Sequence, residues 1–518
     1  MKFVRTAIAA TLGAAALVEF FFFGGGSAQA GLTLLFLLLL GGFFLALGLP
    51  KRGEKNFIFQ VFLMVGVIGV ALSFTLFDTP GLIFINFLSL VMMMGILFLQ
   101  RACGDLCSLG EKGFLPELAA GYVLRPFLSI PEPLKELKEI SSEMDKTDDG
   151  KTGQIKKRVG KNVWQIVLAL AVGIPLIVLL TLLLAQSDAV FKSFVENIVV
   201  AINPNLLLEF GGRIFLFLLI IPFASSIVWS YRNKRMYLEK HNALTQEKTT
   251  HFPELSVIII LGLVNTLYLI YAGIQSVYLF GAWAGELPGH LTYAEYARSG
   301  FFELAFIAVL NAGMILLTIR FTSRIGAAGK AIRILSVLLL ALSGIQLASA
   351  MRRMFLYIEA YGLSESRYLV TAFMILMAVL FTFLLIKEWA DTFPLLKVST
   401  IACILALILV NYSVPGFWIA RSNVDRFLAG ELSTLDATYL ASSADSILVV
   451  LENEDEILSG ADEDTLRDME EFDEIVDSKY FVEIEDEFWD GASGYKKELS
   501  ENWKLFNVSK LRVIIDAE

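Results

Sequence analysis

The sequence predicts an all-α integral membrane protein, with about eleven transmembrane helices and a mostly helical, acidic tail outside the membrane. Three observations predict it. The 518 residues are 56% hydrophobic, with mean hydropathy +0.66 and 18% charged residues, which is too little polar cover for a soluble chain of this size. The apolar residues fall in continuous runs of the ~17–25 residues that a helix needs to cross a bilayer. Charge is also segregated: residues 415–518 hold 26 of the 52 acids but 9 of the 42 lysines and arginines, so the tail is −17 and the body +7.

The spanning runs are 5–23, 32–49, 57–77, 81–99, 162–184, 211–230, 254–280, 301–319, 333–351, 367–386 and 397–414. None alternates, so helices rather than barrel strands are expected. The first run follows Lys2 and Arg5 and precedes Ala28-Gln29-Ala30, which resembles a signal-peptidase site. Its length and its Phe20–Phe23 end favour a retained helix.

Four segments result: 1–99 with four helices, a cytoplasmic loop 100–161, a seven-helix region 162–414, and the soluble tail 415–518. Within the loop, Phe114, Leu118, Tyr122 and Phe127 suggest an interfacial helix over Gly113–Ile130, and 141–161 reads as a flexible basic linker. In the tail, 424–451 has helical apolar spacing. The very acidic 452–490 reads as solvated charge, because Asp462 and Asp464 lack the glycine and bidentate glutamate of a calcium loop.

Orientation follows from lysine and arginine counts. With the N-terminus cytoplasmic, the inner loops carry 27 and the outer ones six: Lys192, Arg213, Arg298, Arg352, Arg353 and Arg367. That asymmetry is the positive-inside pattern. The tail then lies outside the plasma membrane.

Arg352 and Arg353 are therefore on the wrong side for cations, and carboxylates are expected at their level. Glu303 opens the eighth span, Glu359 is two turns beyond Arg352, Glu19 ends the first span, and Asp188 and Glu295 lie in outer loops. Arg298, Gln275 and the tyrosines Tyr293, Tyr296, Tyr357 and Tyr361 complete a polar set. Thr292 and Glu295 form a capping box that starts a helix running to Arg320, and Gly362 is placed to end the helix that begins near Ile332. Counting along that helix puts Arg352 at the outer interface. Counting down from the turn puts it opposite Ile375 and Leu376, deeper in the membrane. The plainer reading of the set, which we prefer, is internal ion pairing with an aromatic belt. The other is a site for an anionic ligand or lipid head group, since embedded charges mark function by default.

AQSDAVFKSF (185–194), TYAEYARSGFFEL (292–304), MFLYIEAYGLSESR (354–367) and ARSNVDRFLAGELSTLDATYLASSAD (420–445) carry a resemblance. In these stretches the chain resembles an uncharacterised bacterial membrane-protein family, domains of unknown function 4153 and 4173. The resemblance implies a polytopic inner-membrane protein and supplies no activity. The long acidic stretch 452–490 departs from it.

No P-loop, GxSxG or HExxH is present, and Cys103, Cys107, Cys403 and the three histidines form no ligand set. An enzyme, a cofactor, a metal site and nucleic-acid binding are not expected. Two function classes remain. One is a sensory or accessory envelope protein that meets lipids and, through the acidic tail, an envelope partner. The other is a transporter of an anionic solute or lipid, which loses ground because no internal repeat is visible.

Overall fold

The computed structural model describes residues 2–22, 29–54, 56–103, 118, 127, 129–133, 135–136, 204–242, 252–283, 301–322, 324–480 and 507–508. Among these there are helices and no strand. α1 (Lys2–Ala16) runs into a π-helical turn, Leu17–Phe22. It is followed by α2 (Gln29–Leu47), α3 (Phe57–Leu76), α4 (Pro80–Cys103), α5 (Pro204–Asn242), α6 (Glu254–Trp283), α7 (Phe301–Phe321), α8 (Gly326–Tyr361), α9 (Glu365–Trp389) and α10 (Leu395–Tyr412). Five shorter helices come after them: α11 (Pro415–Leu428), α12 (Ala437–Leu440), α13 (Ala444–Glu452), α14 (Glu454–Gly460) and α15 (Glu463–Tyr480).

Nine of the described helices are long and apolar enough to cross a bilayer, and α7 contributes a shorter apolar helix, Phe306–Phe321. The expected span 162–184, most of the interfacial segment 113–130 and the linker 141–161 lie outside the described residues. The chain divides into two bodies, residues 1–71 with 91–241, and residues 72–90 with 242–518.

In the first body α1 packs against α2. Phe43 stacks on Phe98 at 3.4 Å between centroids, and Tyr231 meets both rings edge-on. Charges are paired at the helix ends. Arg101 bridges Glu54 at 2.9 Å and also donates to the carbonyls of Gly48 and Leu49. Arg232 pairs with Glu136 and donates to Thr6 Oγ1 at 2.7 Å.

The second body is built around α8. Its buried side, including Ile332, Leu339, Leu340, Leu347, Ala350 and Met354, packs with α6, α7 and α9 into one apolar cluster. At 36 residues α8 is ~54 Å long, well beyond a ~30 Å hydrocarbon layer. The excess has a visible logic. Arg333 and Arg352 bracket 18 residues, Ile334–Met351, and lie ~28 Å apart along the axis. The last nine residues, ~14 Å, then stand beyond the apolar stretch. The helix is continuous to Tyr361, so the kink that would have reconciled the two depth counts is not present. The Arg333–Asp391 contact at 3.8 Å and the turn 362–364 set the α8–α9 register, which brings Arg352 level with about residues 372–374.

α11–α15 form a helical domain with its own core: Ile419, Val424, Phe427, Leu435, Leu440, Ile447, Val450, Ile457, Met469, Phe472 and Val476. The acidic stretch is therefore more than solvated charge. Ile457, Met469, Phe472 and Val476 face inward at helical spacing while the acids face out, an amphipathic pattern. Asp462 caps α15 by accepting from Thr465 N at 2.9 Å. The Thr465 hydroxyl also bonds this carboxyl, and the hydroxyl and amide together hold it below its usual range. Val414, between α10 and α11, has φ +51°, a left-handed conformation that is unusual for a β-branched residue.

Two predictions follow from these contacts. Gly362 ends α8 with φ +73°, ψ −177°, and a Cβ there would lie 2.7 Å from Asn423 Oδ1. Gly362→Ala is expected to lower the protein's thermal midpoint in detergent, with a cost of roughly 1–3 kcal/mol from backbone strain alone. Glu454 behaves oppositely to Asp462: burial first, then Asp473 and Asp455, raise its carboxyl above the usual range. A raised folded value means a proton stabilises the fold. The gain is complete below the unfolded value near 4.5 and is lost as pH rises through the folded one. Glu454→Gln should raise the thermal midpoint at pH 7 and flatten its rise on acidification, as read in melts between pH 4 and 8.

Candidate functional site

Polar side chains gather at three levels of the second body. At one end, the C-terminus of α8 leaves carbonyls that no helical N–H can reach, and it carries partial negative charge. Two arginines satisfy it. Arg426 on α11 donates to Ile358 O at 2.9 Å and to Glu359 O at 2.5 Å, and Arg367 donates to Tyr361 O at 2.8 Å and Gly362 O at 2.5 Å. Asn423 accepts from Leu363 N at 2.7 Å and donates to Leu363 O at 2.8 Å, clasping the turn like a β-bridge partner. Arg367 also lies over the Tyr357 ring at 4.1 Å, a cation–π contact.

The same end carries a second interlock. Asp78 Oδ2 accepts from Ala444 N at the start of α13, Asp78 N donates to Asp445 Oδ2, and Ser443 Oγ donates to Asp78 O, all buried. A carboxylate at a helix N-terminus is favourably placed. Gly81 N donates to Glu365 Oε1 at 3.0 Å, and Glu365 N donates to Tyr439 Oη at 2.7 Å. Burial is the main cause that holds the Tyr439 hydroxyl above the usual phenol range, so it stays neutral and free to accept. The loop 77–79, the turn 362–364 and the start of α9 are thus all held by the α11–α15 domain.

Lower in the bundle lies a hydrogen-bonded chain. Tyr268 Oη donates to Asn311 Oδ1 at 2.9 Å, Asn311 Nδ2 to Ser343 Oγ at 2.8 Å, and Ser343 Oγ to Leu339 O. Asn265 Nδ2 donates to Leu335 O at 3.0 Å. Asn86 and Asn411 exchange two amide bonds of 2.6 and 2.9 Å between α4 and α10. Ser336, Gln346, Ser349 and Thr322 are also buried, each with a side-chain oxygen that makes no hydrogen bond.

At the opposite end, Arg324 grips Glu388 two-pronged at 2.6 and 3.0 Å. Glu388 is fully buried, and its partner's planar fork matches both oxygens.

Among the described residues, those expected to cluster around Arg352 do not form one group. Arg353 is buried on the inner side of α8, whereas Arg352, about 100° round the helix, stays partly exposed. Glu359 was expected as a counter-ion, but its carboxylate is exposed and makes no ion pair among the described residues, because it projects outward two turns away. Glu19 sits in the π-helical turn and pairs with Arg213 at 2.9 Å, within the first body. Tyr357 and Tyr361 meet edge-on at 5.4 Å. Gln275 and Glu303 lie on α6 and α7, with side chains outside the described residues. Asp188, Tyr293, Glu295, Tyr296 and Arg298 lie outside them altogether. Arg426, Asn423, Tyr439 and Asp78 were not anticipated. Each acts across sixty or more residues of sequence, and nothing local marked them. No group of three or more potential metal ligands occurs among the described residues.

Nine helices among the described residues, long and apolar enough to cross a bilayer, define a polytopic α-helical membrane protein. The chain belongs to the family described as Domain of unknown function (DUF4153), whose profile matches residues 64–453. No curated protein and no solved structure matches it.

Cutting the Arg324–Glu388 pair strands one buried charge. Glu388→Ala should cost about 3–5 kcal/mol, whereas replacing both residues with apolar ones should recover much of the loss. A double-mutant cycle on thermal midpoints checks the coupling.

Proposed function

We propose that this is a non-enzymatic sensory or accessory protein of a bacterial plasma membrane, with its N-terminus cytoplasmic and its α11–α15 domain extracytoplasmic. The excess of inner lysines and arginines supports that orientation. In this reading the domain engages an envelope partner through its acidic outer faces, and the polar residues near its base meet an anionic ligand or lipid head group.

One observation carries the reading. The domain is not tethered loosely but grips the C-terminus of α8, the turn 362–364 and the loop 77–79 through buried and partly buried hydrogen bonds. A binding event on such a domain has a mechanical route into the helix at the centre of its body. Transport is the second reading, favoured by the buried polar line from Asn311 and Ser343 through Asn265 and Ser336 to Thr322 and Glu388. Its Tyr268–Asn311–Ser343 part is closed by direct side-chain bonds, which suits a packed bundle better than a conduit.

Arg426→Gln with Asn423→Ala should release the grip. Amide exchange at 358–365 is expected to rise sharply while the α13 and α15 core stays protected; unchanged exchange there would count against a relay. A second arm separates the alternatives. Anion uptake by proteoliposomes should not exceed that of empty vesicles, and saturable uptake would move the assignment to transport.

A further inference from the structure

The exposed positions of α8 recur at Ile334, Ala341, Ile345, Ala348, Phe355 and Glu359, a single helical seam. Ile334 is 68% exposed, Ile345 50% and Phe355 49%, so the seam faces away from the packed side of α8. Arg352 falls on this seam, between Ala348 and Phe355. Its neighbour Arg353 is one residue, and so about 100°, further round and is 9% exposed. The two adjacent cations therefore serve different surroundings.

Arg352 has no hydrogen bond or ion pair among the described residues, and its Nε is buried without an acceptor. A guanidinium carries five donors in a planar fork that fits a phosphate two-pronged. Leaving those donors idle beside apolar surface is costly, which points to an acceptor supplied from outside the chain. Height narrows what that acceptor is. Arg352 stands ~28 Å from Arg333, about one hydrocarbon thickness, so it lies at one edge of the hydrocarbon layer, within a side chain's reach of lipid phosphates, when Arg333 lies at the other. Ala348, Ile345 and Ala341 run below it as an apolar track for an acyl chain.

We propose that Arg352 is a lipid-binding residue, holding the phosphodiester of a phospholipid whose acyl chain lies along the Ala348–Ile345–Ala341 seam. Glu359, two turns further out on the same seam, faces the headgroup and selects for one bearing an amine over one with net negative charge. The proposal names the ligand class within the function proposed above. It rests on that reading only in needing α8 to cross the bilayer, so it survives a failed relay test.

The test uses the full-length protein in detergent, with native mass spectrometry and thermal melts as readouts. Wild-type protein should retain phospholipid through a delipidating wash, and added phosphatidylethanolamine should raise its thermal midpoint more than phosphatidylglycerol does. Arg352→Gln should lose both the retained lipid and the midpoint shift, while Arg333→Gln keeps them. Arg352→Lys keeps the charge without the fork, should hold less lipid than wild type, and serves if the glutamine variant folds poorly. Glu359→Gln should erase the preference between headgroups; its persistence would overturn the selectivity role of Glu359. Equal retention by wild type and Arg352→Gln would overturn the site. Stabilisation of lipid-free protein by inorganic phosphate, as large as that by lipid, would overturn the lipid assignment in favour of a soluble anion.

Discussion

The structure of the second body depends on how the C-terminus of one over-long helix is satisfied. Four carbonyls at the end of α8 need donors, and the exposed partial charge there is negative. Arg367 from the next helix and Arg426 from the α11–α15 domain supply the donors. Asn423 then fixes the turn that follows. Because two of these three residues belong to the domain, capping the helix and docking the domain are one event.

Much of this architecture was legible in the sequence because the bilayer makes strong demands. A run of 18–25 apolar residues has few structural options, so the spanning helices could be read directly. The end of α8 at Gly362 was readable for a similar reason: a glycine just past a long helical run is a local signal, and its φ is positive in the structure. The partners of that end were not. Arg426, Asn423 and Tyr439 reach it across sixty or more residues, and nothing local distinguishes Arg426 from an ordinary surface arginine. The amphipathic face of α15 was hidden differently. Met469, Phe472 and Val476 have helical spacing, but the density of acids around them outweighed three apolar residues.

Treating Arg352 and Arg353 as a pair was the main misreading of the site. Adjacency in sequence suggests a shared role, yet on a helix neighbours diverge by about 100°. Arg353 goes to the packed side and Arg352 to the seam. The expected counter-ions were also displaced by geometry. Glu359 is on the right seam but two turns out, and Glu19 already has Arg213. What replaces a single salt-bridged cluster is a division of labour, with carbonyl-capping arginines, one inward arginine and one facing outward.

α8 has its last carbonyls gripped by one set of arginines, while Arg333 near its start reaches Asp391 and the neighbouring Arg324 locks onto Glu388. An uninterrupted α-helix resists bending and stretching far more than the loops around it. A push on one end of such a strut is not absorbed along the way; it emerges as a tilt or piston stroke some 50 Å off. In the sensory reading proposed above, the excess length serves as a lever arm, converting a small shift of the folded cap into motion at the other end of α8.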